Sequence, residues 1–526
     1  MRIGSNWHHH QSKRTLEGVV GMARRSRRMK WLPLLVALLT IPAWAQESPV
    51  HLRVLATHDL HGALQPVVYP WSQERPIGGA QALNWTVRRL TADCACATIH
   101  VDGGDLMQGT LESNLVNGTA AVAFFNHLGL DAAAVGNHEL DWGVDTLLQR
   151  QQEARYAWLA ANVFEVATGA RPVWAKPYVM LKENGLRVAV IGYATIGTPV
   201  SLRPSVTAPY EFRGGYAALA PVIDEVWSQS PDFVIVAAHA GGECRDDVCE
   251  GEMVELARAI PAGRVHMIAG GHNHAAGQGL VNGIPIVRAG ANGRAIAVVD
   301  LYKTADAVTF TTGNATVYAD VIEEDTKLEA LLAPFEASAA ERAGREITTL
   351  ADTLTSAWDG DRRLGELIAD ALRAATNADV GMQNSGGVRA NLLAGPVTYG
   401  DLFRVLPFDN KVVTLTVTGS QLRALVMQAY PSYYYSNLHI VFDPALELSR
   451  QIRDVTFADG SPLKPDARYT LATVDFLADG GDGLALMSTL PREQTGLSNL
   501  DVLIAHIQTL RKPLTLPVNA RRTKLP

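Results

Sequence analysis

The chain has 526 residues, of which 47% are hydrophobic and 19% charged, and its formal net charge is −7. That length allows two to four domains with a sizeable core, in the composition range of folded soluble enzymes. The charge supplies no global basic field to hold a nucleic-acid backbone, which disfavours a polymer partner and favours a small anionic substrate.

Residues 1–45 read as an export signal outside the fold. Arg24, Arg25, Arg27, Arg28 and Lys30 precede an apolar run from Trp31 to Pro42, and Ala43-Trp44-Ala45 is a small-x-small cleavage site. About 12 apolar residues are too few to span a bilayer core of roughly 30 Å, so the mature chain is expected to carry no stable membrane span. The expected location is periplasmic or secreted. The long polar stretch before the signal leaves Met22 or Met29 as alternative starts, and Ser26-Arg27-Arg28 weakly resembles a twin-arginine signal.

From His51 to about Tyr302, short β-branched runs alternate with helical stretches. The expected strands are His51–Thr57, Ala97–Val101, Ala132–Val135, Arg187–Tyr193, Asp232–Ala237, Val265–Ala269 and Ile284–Arg288. This alternation predicts an α/β sandwich, which gathers its ligands at the carboxyl ends of the strands. Acidic residues open the segment from about Val321 to Arg345, and Arg342 and Arg345 sit near its close, the polarity a helix dipole prefers. It is the candidate interdomain helix, with Pro334 expected to kink it or to start a second helix. The remaining chain reads as a second α/β domain. The expected boundaries are 46–320, 321–346 and 347–526.

Four cysteines fall in two close pairs, Cys94 with Cys96 and Cys244 with Cys249. In an oxidising compartment three connectivities are open, and Cys244 with Cys249 is the easier bridge; a four-cysteine zinc site is the rival reading.

Every polar motif of the first half directly follows one of the expected strands. Asp59 and His61 lie two apart after the first, and Gly104-Asp105 follows the second. Asn137, His138, Glu139 and Asp141 follow the third, His239 caps another, and His272 and His274 follow a glycine pair. Singly each has an ordinary reading as a turn, a cap or a satisfied histidine. Together they form a donor set for hard-to-borderline divalent ions with no cysteine in it.

In that order, Asp-x-His, Gly-Asp, Gly-Asn-His-Glu-x-Asp, His and Gly-His-x-His, the motifs resemble the calcineurin-like metallophosphoesterases. More specifically, the chain resembles the secreted 5′-nucleotidase and UDP-sugar hydrolase family, whose two domains are a metal-bearing sandwich and a nucleotide-binding domain. The resemblance implies Asp59, His61 and His274 as ligands of one divalent ion, Asn137, His239 and His272 as ligands of another, and Asp105 as the bridge. Zinc or manganese are the natural candidates, and two such ions about 3.5–4 Å apart activate a water and clamp phosphate oxygens. His138, a candidate acid outside the ligand set, then stabilises or protonates the leaving side, with Asp141 orienting its ring. Two departures stand out: His58 where the family usually has Asn, and His274 where it often has an amide.

In the second half, Asn384-Ser385-Gly386-Gly387-Val388-Arg389 sets two glycines between an amide and a guanidinium suited to gripping an anion. The resemblance assigns Arg389 to phosphate, Asn384 to polar groups of the substrate, Asp482 to the ribose hydroxyls, and Phe408 with Phe476 to an aromatic clamp on the base. A further phosphate arginine of the family has Trp358 at its usual offset, with Arg362 and Arg363 nearer the following helix. The implied activity is hydrolysis of small-molecule nucleoside 5′-phosphates, with UDP-sugars as a further substrate class. A 2′,3′-cyclic-nucleotide phosphodiesterase with 3′-nucleotidase activity is the nearest alternative. A thiosulfohydrolase of the same superfamily and a non-catalytic surface binding protein are the others.

Overall fold

Strand β1 (Val50–Thr57) sends Leu52, Val54 and Ala56 to one face and Leu55 to the other, the period-2 pattern of a strand buried on both sides. In the computed structural model, which describes residues 49–525 apart from 246–247, 306, 358–359 and 519–520, that strand is central to the first of two six-stranded sheets. The expected export signal and Trp358 lie outside the described residues.

The first sheet also contains β2 (Ala97–Asp102), β3 (Ala132–Ala134) and β4 (Ala157–Leu159). The second contains β5 (Tyr178–Glu183), β6 (Leu186–Ala194), β7 (Phe233–His239), β8 (Met267–Gly270), β9 (Gly277–Val281) and β10 (Ile284–Arg288). Two further strands, β11 (Ala295–Lys303) and β12 (Val308–Thr316), complete the first sheet, in the order β12-β11-β1-β2-β3-β4. The second runs β9-β10-β8-β7-β6-β5. β1 to β4 are mutually parallel, as are β6, β7, β8 and β10. Their carboxyl ends therefore gather along one edge of the sandwich.

Leu52, Val54, Ile99 and Val101 meet Val188, Val190, Phe233 and Ile235 between the sheets. Helices cover both outer faces; Leu83 from helix α1 (Ala80–Ala92) joins Phe124 and Phe125 on one side, and Leu219, Val222, Met253 and Leu256 lie on the other. All seven expected strands are present, with boundaries moved by no more than two residues.

Helix α2 (Thr326–Ala343) follows the sandwich, and its Asp325 cap accepts from the Lys327 and Leu328 amides at 3.0 and 3.3 Å. Pro334 does not start a second helix: α2 continues through it, with Leu328, Leu332 and Ala339 buried on either side. A proline removes one backbone donor, and burial of an apolar stripe along the helix offsets that loss.

Helix α3 (Arg363–Thr376) buries Leu364, Leu367, Ile368, Ala371 and Leu372, the i, i+3, i+4, i+7, i+8 stripe of a helix lying on a sheet. That sheet comprises β13 (Val380–Asn384), β14 (Lys411–Thr418), β15 (Tyr433–Ser436), β16 (Arg468–Val474) and β17 (Arg492–Ser498), in the order β15-β13-β16-β14-β17. One continuous core, including Val380, Met382, Val413, Leu415 and Leu471, holds this half together. The fold is thus mixed α/β with two domains.

Cys94 bonds Cys96, and Cys244 bonds Cys249 across a small hairpin. Each pair closes on itself, so the four cysteines do not assemble a common zinc site. No helix among the described residues is long and apolar enough to cross a membrane.

Candidate active site

The loops after β1 and β2 are knitted together by their backbones. Asp59 N donates to Gly104 O at 2.9 Å, His61 N to Asp105 O at 3.0 Å and Gly62 N to Leu106 O at 2.9 Å. This ladder turns the side chains of Asp59, His61 and Asp105 inward, and all three are buried. It also holds residues in left-handed backbone: φ is 50° at Asp59, 52° at His61 and 59° at Asp105, with 76° at His272 and 55° at His274. Such conformations in non-glycine residues cost on the order of 1 kcal/mol or more each and concentrate where function requires them.

Glu139 is the hidden fastener of these loops. Its carboxylate accepts from the amides of Asp105 and Gly136 at 2.8 Å and Leu106 at 2.7 Å. Burial and then the nearby Asp105 charge push its carboxyl up to about 8, against the pull of those N–H donors. Fully buried and outside the cavity lining, it positions the loops and offers no proton to a substrate.

Two donor clusters face each other. In the first, Asp59 Oδ1 lies 3.6 Å from His61 Nε2 and 3.5 Å from His274 Nε2, and the two imidazole nitrogens are 3.0 Å apart. In the second, His239 Nε2 lies 3.2 Å from Asp105 Oδ2, 3.0 Å from Asn137 Oδ1 and 3.1 Å from His272 Nδ1. Asp105 Oδ2 is also 3.9 Å from His61 Nε2, so this oxygen lies between the clusters. Asn137 precedes a short helical turn and makes no capping bond with its side chain, which turns instead to His239. All seven sequence-predicted ligands are therefore brought together.

These clusters fit divalent cations. His61 Nδ1 lies 2.7 Å from Gln108 O and His239 Nδ1 lies 2.8 Å from Gly103 O. A carbonyl only accepts, so each ring carries a proton on Nδ1 and turns Nε2 to its cluster; burial lowers His239, but the Asp105 charge outweighs this and pushes it up to about 10. Asp59 Oδ1 is buried with no hydrogen-bond donor among the described residues. Donor atoms converging in this way suit a cation between them. Burial pushes the Asp59 and Asp105 carboxyls up, but the surrounding imidazoles hold both well below the ordinary carboxylate range. Burial lowers His272 to about 4 and holds His274 well below its ordinary value, so both rings are bare donors near neutrality. His58, the first departure from the family pattern, hydrogen-bonds Asp59 Oδ2 through Nδ1 and accepts from Gly290 N at 2.7 Å. It orients the Asp59 carboxylate and stands outside the donor cluster.

His138 stands beside both clusters, in the ligand set of neither. Its Nδ1 is 2.9 Å from Asp141 Oδ2, which aims Nε2 away from Asp141. Burial lowers its pKa, but the charges of Asp141 and Asp105 outweigh this and raise it above the ordinary histidine value.

Over this centre lies a cavity of about 740 Å³ whose lining includes Asp105, Asn137, His138, His272 and His274 from the sandwich and Asn384, Arg389, Phe408, Phe476 and Asp482 from the second domain. The Phe408 ring stacks on His138 at 5.4 Å between centroids, and Arg389 Nη2 reaches within 3.3 Å of His274 Nε2. Asn384 Nδ2 and Tyr433 OH both donate to Asp482 Oδ2 at 2.8 Å. A Cβ at Gly481 would collide with the Phe476 ring, so glycine there lets the ring lie flat against its own loop.

Some contributors carried no sequence signal. Gln108 and Asn114 donate to Pro407 O at 3.3 and 2.9 Å, fixing the Phe408 loop to the sandwich. Arg203 bridges to Asp475 Oδ2 at 3.0 Å on another wall. Neither Arg362 nor Arg363 lines the cavity: Arg362 binds Tyr433 O and packs over Tyr434, and Arg363 pairs with Asp361.

Comparison with known proteins agrees with this arrangement. Residues 343–489 match the family model of the 5′-nucleotidase C-terminal domain, and residues 95–287 match the model described as bacterial capsule synthesis protein PGA_cap. The protein UshA of Escherichia coli is 29% identical over 89% of this chain and 93% of its own length. The chain is thus similar to the 5′-nucleotidases along its length, and its second domain matches their C-terminal family. The fold is also that of the 5′-nucleotidase precursor from Thermus thermophilus, with a TM-score of 0.82 at 24% identity, over 90% of this chain and 99% of that one. Endonuclease YhcR of Bacillus subtilis is 28% identical over 91% of this chain, which spans 41% of that protein. The family consists of metal-dependent hydrolases of the metallophosphoesterase type, a chemistry that agrees with the two donor clusters.

Proposed function

We propose that this protein is an exported 5′-nucleotidase that hydrolyses nucleoside 5′-phosphates to nucleoside and phosphate, using two divalent ions such as zinc or manganese. The carrying observation is the stacking of Phe408 on His138, which sets a base-sized aromatic surface directly against a candidate proton donor at the rim of the metal-donor clusters. The likeness to UshA and to the 5′-nucleotidase of Vibrio cholerae, 27% identical over 90% of this chain, supports nucleotide hydrolysis as the activity.

Asp59, His61 and His274 would hold one ion and Asn137, His239 and His272 the other, with Asp105 shared. Bound divalent ions in such a site supply a nucleophile at neutral pH and positive charge for the phosphoryl oxygens. The chain's own residues do the rest. Arg389 offers its guanidinium donors to non-bridging oxygens of the phosphoryl group. His138, charged through its pairing with Asp141, gives a proton to the departing nucleoside 5′-oxygen. Phe408 and Phe476 hold the base between their rings, while Asp482 and Asn384 accept and donate at the ribose hydroxyls. Arg362 and Arg363 face away from the cavity, which leaves Arg389 as the arginine in contact with the metal-donor clusters and favours monophosphates over UDP-sugars.

Phosphate release from AMP, 3′-AMP, 2′,3′-cyclic AMP and UDP-glucose, with zinc and with manganese supplied, tests this reading. AMP should be turned over best. Preference for the cyclic or 3′ substrates would make the protein the alternative phosphodiesterase. Absence of hydrolysis with both metals would make it a binding protein.

A further inference from the structure

At the opposite end of β1 from Asp59, roughly 25 Å away by strand rise, a second group of metal-binding side chains gathers. His51, Cys94, Cys96 and Asp300 bring their ligand atoms within 4.8 Å of one another. His51 Nε2 lies 2.9 Å from Asp300 Oδ1, and the ring is stacked on Tyr302 at 4.4 Å. Arg53 in turn grips both oxygens of Asp300 at 2.8 and 2.9 Å and ties itself to Leu90 O at the end of α1. The imidazole is thereby fixed by a carboxylate on Nε2, which leaves Nδ1 open, and Cys94 Sγ lies beside the ring at 3.9 Å from Nδ1 and 4.0 Å from Nε2.

A carboxylate on one ring nitrogen and an open lone pair on the other is the arrangement that orients histidine ligands toward metals. An ion bonded to sulfur at about 2.3 Å and to nitrogen at about 2.0 Å sets those two atoms roughly 3.6 Å apart, close to the separation seen. Two sulfurs and one imidazole form a soft, three-donor set, which suits thiophilic ions and differs in kind from the oxygen- and nitrogen-rich clusters of the catalytic cavity. The His51 and Asp300 side chains retain 26% and 12% exposure, so an ion can enter from solvent.

We propose that His51, Cys94 and Cys96 form a binding site for one thiophilic metal ion, Cu(I) or Zn(II), whenever the Cys94–Cys96 disulfide has been reduced to the dithiol. Reduction by a phosphine and water cleaves the sulfur–sulfur bond, gives two thiols and leaves the phosphine oxide. The entering ion then displaces two thiol protons to solvent. A small-molecule disulfide oxidant, itself reduced to two thiolates by exchange, re-forms the Cys94–Cys96 bond, withdraws two of the three ligands and releases the ion. The site would cross-link the first strand of the sandwich to the turn after α1.

The test uses full-length protein carrying Cys244→Ser and Cys249→Ser, reduced with phosphine under anaerobic conditions and titrated with Cu(I) against a chromophoric chelator. One equivalent should bind with thiolate-to-copper absorption in the ultraviolet, and re-oxidation should abolish it. Adding Cys94→Ser and Cys96→Ser should remove that equivalent. Asp300→Asn should weaken it by about 10–100-fold, the cost of losing an outer partner of a ligating histidine, and His51→Ala by at least as much. Phosphate release should be unchanged in the serine pair, which verifies that the variant folds. Absence of the absorption band overturns the proposal, as does equal affinity before and after His51→Ala, because the dithiol would then bind copper without the built site.

Discussion

The two sides of the catalytic cavity are built on different principles. On the sandwich side, Asp59, Asp105, Asn137 and His239 are almost completely buried, and paired loop backbones fix Asp59 and Asp105, both in left-handed conformations. On the other side, Phe408, Phe476 and Arg389 are half-buried, Phe476 on the short helix Asp475–Ala478 and the other two on loops. The difference is one of task. Groups that hold ions must be rigid before the ion arrives, and the strain that rigidity demands is offset by dense hydrogen bonding such as the Glu139 fastener. Groups that recognise a base need a flat apolar surface and tolerate movement.

If that division is right, damage to the sandwich side should abolish chemistry on every substrate, and damage to the far side should depend on the substrate. The largest effect should come from Asp105→Asn, since Asp105 Oδ2 lies between both donor clusters. Turnover should fall by roughly 10⁴-fold or more, beyond the usual span of a single acid–base group, together with bound metal measured by elemental analysis. Full metal content with normal turnover would remove Asp105 from its bridging role.

His138→Ala should cost about 10²–10⁴-fold in kcat with metal content intact. Loss of one metal equivalent would instead move His138 into a ligand shell. Phe408 blurs the division, because its ring packs against His138. Phe408→Ala should therefore lower kcat on a small aryl phosphate as well as on AMP, and an effect confined to AMP would show that the stacking does not position His138.

The smallest effect concerns stability. His100, buried in β2, donates from Nε2 to Thr57 Oγ1 at 3.0 Å, while its Nδ1 is buried without a partner among the described residues. Burial lowers its pKa to about 3, so the ring stays neutral in the folded state. The unfolded chain takes up a proton below about pH 6.5 and the folded one does not. Stability is thus fully present above that pH and lost as pH falls toward 3, by about 1.4 kcal/mol per unit. His100→Gln should flatten the acid limb of denaturant midpoints against pH; an unchanged slope would show that His100 does not govern it.

Much of the metal-donor side was legible in the sequence, because ligand side chains must follow strands of a parallel sheet and their types are restricted by chemistry. The seven strands preceding or flanking them were likewise readable from β-branched runs. Strand β12 was not, because its threonines fall on both faces. The role of Glu139 was hidden because its partners are backbone amides, which leave no trace in residue identity. The cavity wall was legible as residue types but not as contacts. That Arg389 touches His274, that Pro407 O binds Gln108 and Asn114, and that Arg362 turns toward Tyr433 all depend on how the two domains and the α3 turn pack.

The central claim, that ions and acid act from one side of the cavity while the base is read from the other, is tested most directly at Phe476, which lines the cavity on the second-domain side and lies against its own Gly481. The measurement is kcat/KM for AMP and for a small aryl phosphate, in the parent protein and in Phe476→Ala, at matched metal content. The account predicts a loss of about 1–3 kcal/mol on AMP, roughly 5- to 150-fold, with the aryl phosphate nearly unchanged. A parallel loss on both substrates would contradict it and make Phe476 a packing residue.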